Sequence, residues 1–176
     1  SVFLMTLALV TVLVYPLGFG FDGFLHRESE RLLLTTGTLH PKPLYYIGQY
    51  VLTTWLSRTL ALPIGAVDPF LLVGFIPILT AALAIKRSRS IDGCAAISML
   101  ALILLIPLKP WITSTPQSFA YLIGLSGLLL ATTSTASINL WPALILGIWS
   151  VAIHPLAGLP LLGGTILLLW RVRYAD

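Results

Sequence analysis

The sequence predicts an all-α, polytopic membrane protein, with about six transmembrane helices and two further helices lying along the membrane surface. Two observations carry this. Of the 176 residues, 57% are hydrophobic and 9% charged, against about 25% charged in soluble domains. So little polar surface cannot cover an apolar core in water. The apolar residues also fall into long runs separated by prolines, glycines and basic clusters. They do not alternate with polar ones, as the strands of a transmembrane barrel would require.

Residues 2–17 form the first expected span, ended by Pro16 and Gly18. This run lacks a basic leader and a clear small-residue cleavage site, so a retained span is expected and not a signal peptide. The chain starts at Ser1 without a methionine. The expectation is that 1–176 is a single transmembrane domain, the amino-terminal piece of something longer.

Residues 22–36 read as an amphipathic helix, with Asp22 as N-cap and Gly37 as C-cap. Phe21, Phe24, Leu25 and Leu32 fall near one face, and His26, Arg27 and Glu30 on the wetter sides. Such a helix is expected to lie in the interface. His40-Pro41-Lys42-Pro43 is a stiff connector, because each proline biases its predecessor away from helix. Residues 44–61 contain Gln49, Arg58 and several Thr and Tyr, and read as a second interfacial helix. Together, 19–67 form one outer loop.

Further spans are expected at 69–85, 91–108, 118–133, 140–153 and 156–170, the first kinked at Pro77. A short basic turn occupies 86–89. A polar loop at 109–117 carries Lys109 and Trp111, read as an interfacial anchor. His154-Pro155 breaks the chain between the last two spans.

The two tightest basic clusters, 86–89 and 171–173, are assigned to the cytoplasmic side. Parity then places Lys109, His154 and the loop 19–67 on the outer face, provided that 44–61 does not cross. The net charge of +4 fits loops facing anionic lipid. No basic-aromatic patch for nucleic acid is present. The single cysteine, Cys94, excludes an internal disulfide and a cysteine-based metal site.

Phe21-Asp22-Gly23-Phe24-Leu25-His26-Arg27, followed by Glu28 and directly after the first span, resembles the first outer loop of GT-C glycosyltransferases. Oligosaccharyltransferase catalytic subunits have a similar Asp-Pro-aromatic stretch ending in arginine. The protein O-mannosyltransferases carry an Asp-Glu pair in the same place. Here Gly23 replaces the proline, Arg27 comes one residue early, and no Asp-Glu pair is present, so the likeness is to the superfamily. It covers the first half of the chain, and the rest by topology.

The resemblance implies transfer of a sugar from a polyprenyl-phosphate-linked donor to an acceptor, on the outer face of a prokaryotic plasma membrane. Asp22 and Glu28 are the expected catalytic carboxylates. The resemblance also offers Asp22 as a ligand of a divalent metal, Mg or Mn. His26, Arg27, Lys42 and His154 are expected to contact phosphate or sugar, arginine being suited to bidentate phosphate binding. The plainer alternative makes Asp22 a helix cap and leaves Arg27, Glu28, Glu30 and Arg31 pairing along a solvated helix. His154 would then be an interfacial turn residue.

Two other functions are weighed. A transporter or structural membrane subunit would lack catalysis, but transport sites usually gather polar residues near the midplane, and Lys109 is the only charge from Gly93 to Trp170. Gly124-Leu125-Ser126-Gly127 with His154 is similar to the serine-histidine dyad of rhomboid proteases. Ser126 is expected at mid-membrane and His154 at the edge, which disfavours a dyad. The small residues are better read as helix-packing contacts.

Overall fold

The computed structural model describes residues 2–14, 22–39, 44–89, 115–132 and 140–174. All regular structure among them is helical. In chain order the elements are α1 (Val2–Val14), α2 (Asp22–Thr36), a 3-10 turn (Leu44–Tyr46), α3 (Ile47–Leu60), α4 (Ile64–Val67), a second 3-10 turn (Asp68–Phe70), α5 (Leu71–Arg89), α6 (Pro116–Thr132), α7 (Leu140–Ile153) and α8 (Pro155–Tyr174). The expected span at 91–108, with Cys94, and His40, Lys42, Lys109 and Trp111 lie outside the described residues.

Local chemistry sets the helix ends. Gly37 ends α2 at φ +73, its N–H donating to the Leu33 carbonyl at 3.0 Å, as a left-handed C-terminal glycine does. Ala61 ends α3 at φ 54, and the Leu62 N–H returns to the Ser57 carbonyl at 3.1 Å. Pro63 then prevents continuation. Thr115 starts α6 by accepting the Ser118 N–H on its hydroxyl at 3.2 Å, with Pro116 in the first helical position. His154 breaks the chain as expected: α7 stops at Ile153 and α8 begins at Pro155. The expected basic turn at 86–89 is instead the last turn of α5.

Helices α6, α7 and α8 pack on one another, and α5 packs on α6. Their shared core contains Leu72, Ile76, Leu79, Phe119, Leu122 and Ile123. Phe75, Phe119 and Trp149 meet edge to face within it, with ring centroids 5.1–5.9 Å apart. Small and polar groups allow the helices to approach closely. Ser150 donates across to the Ala120 carbonyl at 2.8 Å. A Cβ on Gly127 would lie 2.9 Å from the Ala143 carbonyl oxygen. The glycine-serine stretch of α6 is therefore packing surface, as expected.

Polarity is turned inside out over much of the surface. Glu30, Gln49, Thr53, Asp68, Ser126 and Thr165 are buried, while Trp55, Trp141, Ile148, Leu159, Leu167 and Trp170 are exposed. Among the described residues no single helix is long and apolar enough to cross a membrane. Ile47–Leu60 and Ile64–Leu79 together reach that length and apolarity, bent by 104° at their junction. The all-α class is thus observed, and α3 is turned almost at right angles to the helix that follows it.

Helix α3 seats on the end of α7 through Gly48. A Cβ there would lie 2.8 Å from both the Ala152 carbonyl carbon and the Ile153 nitrogen. Backbone atoms cannot yield as a side-chain tip can. Gly48→Ala is expected to lower stability by about 1–3 kcal/mol. Gly65→Ala, where nothing lies within 4 Å, should change it by less than about 0.5 kcal/mol. Thermal unfolding of the two variants in detergent checks the contrast; equal shifts would refute the close contact.

Candidate functional site

Helices α2 and α3 run side by side in the same direction, because their contacts advance together. His26 meets Tyr50, Glu30 meets Thr53, and the Leu34 carbonyl accepts from the Arg58 guanidinium at 3.0 Å. The face that α2 turns inward is its polar one. Glu30 is 0% exposed, whereas Phe24 and Leu25 are 50% and 44% exposed. This reverses the expectation that His26, Arg27 and Glu30 take the wetter sides. The reason lies in α3. Gln49, Thr53 and Ser57 recur at intervals of four and are all buried, so α3 offers α2 a polar stripe. Buried carboxylate and guanidinium groups require such partners, whereas apolar side chains do not.

The first cluster gathers two carboxylates. Thr53 donates its hydroxyl to Glu30 Oε1 at 3.0 Å. The Gln49 amide nitrogen lies 3.5 Å from the same oxygen and 3.2 Å from Asp68 Oδ1. Arg27 Nε stands 3.6 Å from Asp68 Oδ2. Asp68 comes from the 3-10 turn after α4, so the cluster ties three segments together. Burial, then the nearby Asp68 charge, holds the Glu30 carboxyl well above the usual carboxylate range. Burial also raises Asp68 to about 6, against the pull of Arg27.

The second cluster is aromatic. His26 Nδ1 and the Tyr50 hydroxyl are 2.6 Å apart, with the direction of the bond set by the histidine tautomer. Tyr50 is fully buried, and burial pushes its phenol upward, so it stays neutral. Tyr46 lies edge-on to His26, with centroids 5.0 Å apart at 87°. The same ring lies 5.4 Å from His154. His154 Nδ1 accepts the Ala157 N–H at 3.3 Å, which puts the ring hydrogen of a neutral imidazole on Nε2. Burial holds its pKa below the ordinary value.

His26 and His154 are thus brought to one place, with Tyr46 between them. Arg27 is engaged by Asp68. Glu28 is elsewhere: its side chain is 73% exposed and pairs with Arg31 at 3.5 Å, one turn on. Asp22 opens α2, one turn before His26. Lys42 lies outside the described residues. Ser126 is fully buried and donates to the Leu122 carbonyl at 2.7 Å. No contact among the described residues links it to His154.

Glu30, Asp68, Gln49, Thr53, Tyr46 and Tyr50 were not expected at the site. The polar stripe of α3 was legible as the four-residue spacing of Gln49, Thr53 and Ser57. Asp68 was legible as the one acidic residue between Arg31 and Ile91. Among the described residues, no three of His, Cys, Asp and Glu gather as a metal cluster. No family model, curated protein or solved structure matches the chain.

Both buried carboxyls hold their protons more tightly in the folded than in the unfolded state. Their contribution is complete below the unfolded value of about 4 and is lost as pH rises through about 6 and above. Glu30→Gln, which keeps the position neutral, should flatten that fall. Unfolding followed in detergent at low salt, at pH 5 and pH 8, measures it. An equal pH dependence in the variant would contradict a buried, protonated Glu30.

Proposed function

We propose that the chain is the membrane core of a GT-C-like glycosyltransferase, moving a sugar from a polyprenyl-phosphate-linked donor to an acceptor on the outer face. The observation that carries this reading is the meeting of His26, on the first loop, with His154, between the last two helices, around Tyr46. A loop that merely connected spans would have no need to dock on a distant histidine turn.

Two further features support it. Helix α3 makes an angle of 104° with the following helix, so it lies near the membrane plane if α5 crosses. The exposed tryptophans and aliphatic side chains of α7 and α8 suit lipid contact. No single described helix is both long and apolar enough for a full crossing of about 20 residues, and six spans belong to the proposed reading.

In this reading Asp22 is the general base at the acceptor, one helical turn from His26. Glu28, exposed and unanchored in the cluster, is given no step. His26 is held by Tyr50 and His154 by its own turn, so both present fixed rings to a sugar or phosphate. Arg27 supplies positive charge from the edge of the buried cluster while remaining tied to Asp68.

The broken helix at 61–68 beside buried charges favours a second reading, transport, since ion and substrate sites often form at such breaks. Activity separates the two. Asp22→Asn in the intact membrane protein should lower sugar transfer by about 10²–10⁴ with expression unchanged. Full transfer activity in that variant would reduce Asp22 to a helix cap.

A further inference from the structure

We propose that Glu30, Gln49, Thr53 and Asp68 form a binding site for one hard monovalent cation, sodium by its chemistry. The inference stands on the buried cluster alone, and holds whether the protein transfers sugars or not.

The cluster contains two carboxylates and one guanidinium, and the guanidinium of Arg27 is paired with Asp68. Glu30 takes its hydrogen bonds from neutral groups, the hydroxyl of Thr53 and the amide of Gln49, and shares the single Arg27 charge with Asp68. It is 0% exposed. A buried carboxylate in that position must take up a positive charge. One monovalent cation brings the cluster of Glu30, Asp68 and Arg27 to zero; a proton on Glu30 does the same, so the two exclude each other and the cation replaces the proton as pH rises. A divalent cation would leave it positive, beside an arginine that cannot deprotonate.

The cluster also has unused coordinating capacity. Glu30 Oε2 and Gln49 Oε1 are buried with no hydrogen-bond partner. Both belong to fully buried side chains. Their companion atoms, Glu30 Oε1 and Gln49 Nε2, are hydrogen-bonded inside the cluster, which fixes both planar groups there. Buried polar atoms without partners are rare in native proteins and call for an explanation. Arg27 Nε, on the edge of the cluster, is a buried donor in the same condition, so the two oxygens are acceptors that a cation would satisfy.

The available atoms are carboxylate, amide and hydroxyl oxygens, which suit hard cations. The site also joins α2, α3 and the turn before α5, so a bound ion would brace the first loop against the bundle.

The test is the unfolding temperature of the full chain in detergent at alkaline pH, where the proton competes least, in sodium chloride and in choline chloride at equal ionic strength. Above the dissociation constant, each tenfold rise in sodium should add about 3–5 °C. Glu30→Gln should abolish that increment, and Arg58→Ala, away from the carboxylates, should retain it. Should Glu30→Gln fail to fold, the comparison of sodium with choline on the unaltered chain decides alone. Equal unfolding temperatures in the two salts would overturn the site, and so would stabilisation by magnesium or calcium but not by sodium. Neither result would bear on transfer by Asp22, which is measured separately.

Discussion

Glu30 is fully buried and takes its hydrogen bonds from neutral side chains, and the arrangement of the first loop follows from that constraint. An ionisable group in a dry environment is tolerated only with hydrogen-bond partners or neutralised charge. Gln49 serves by reaching both carboxylates, and Thr53 by donating its hydroxyl. Arg27 and Asp68 hold each other. These residues come from three segments, so satisfying one carboxylate orients α2, α3 and the 3-10 turn before α5. The apolar side of α2 is consequently turned outward.

The polar cluster reaches the bundle at α5, through the 3-10 turn that carries Asp68, and a second connection reaches α7. That connection is steric and aromatic. Gly48 lets α3 lie against the backbone of Ala152 and Ile153. The same approach carries Tyr46, two residues earlier, to the ring of His154. A rigid loop and a rigid helical turn thereby share one aromatic side chain, and His26 joins from the other side. Inside the bundle, serine hydroxyls satisfy backbone carbonyls, as Ser150 does for Ala120 and Ser126 for Leu122. The outward faces stay apolar. That distribution is costly in water and ordinary in lipid, where polar groups find partners within the protein.

Helix positions were largely written in the local chemistry of the chain. Gly37, Pro63, Pro116 and His154-Pro155 each act on the backbone within a few residues, through a fixed dihedral, a missing N–H or a cap. Hence the boundaries at 36, 61, 116 and 153 matched expectation to within two residues. The turn expected at 86–89 failed because basic residues are good helix formers and carry no breaker of their own.

The sequence by itself determined the all-α class, the order of the helices and the presence of a charged loop ahead of a long apolar region, since composition and breakers act locally. Only the tertiary structure decided which side of that loop faces inward. Amphipathic reasoning assumes that polar residues seek solvent. Here α3 supplies a polar stripe from a distant part of the loop, and the partner for Glu30 became visible only when Gln49 and Asp68 were brought beside it. His154 likewise entered the site through a contact between backbone atoms at Gly48, a matter of packing that no local pattern encodes.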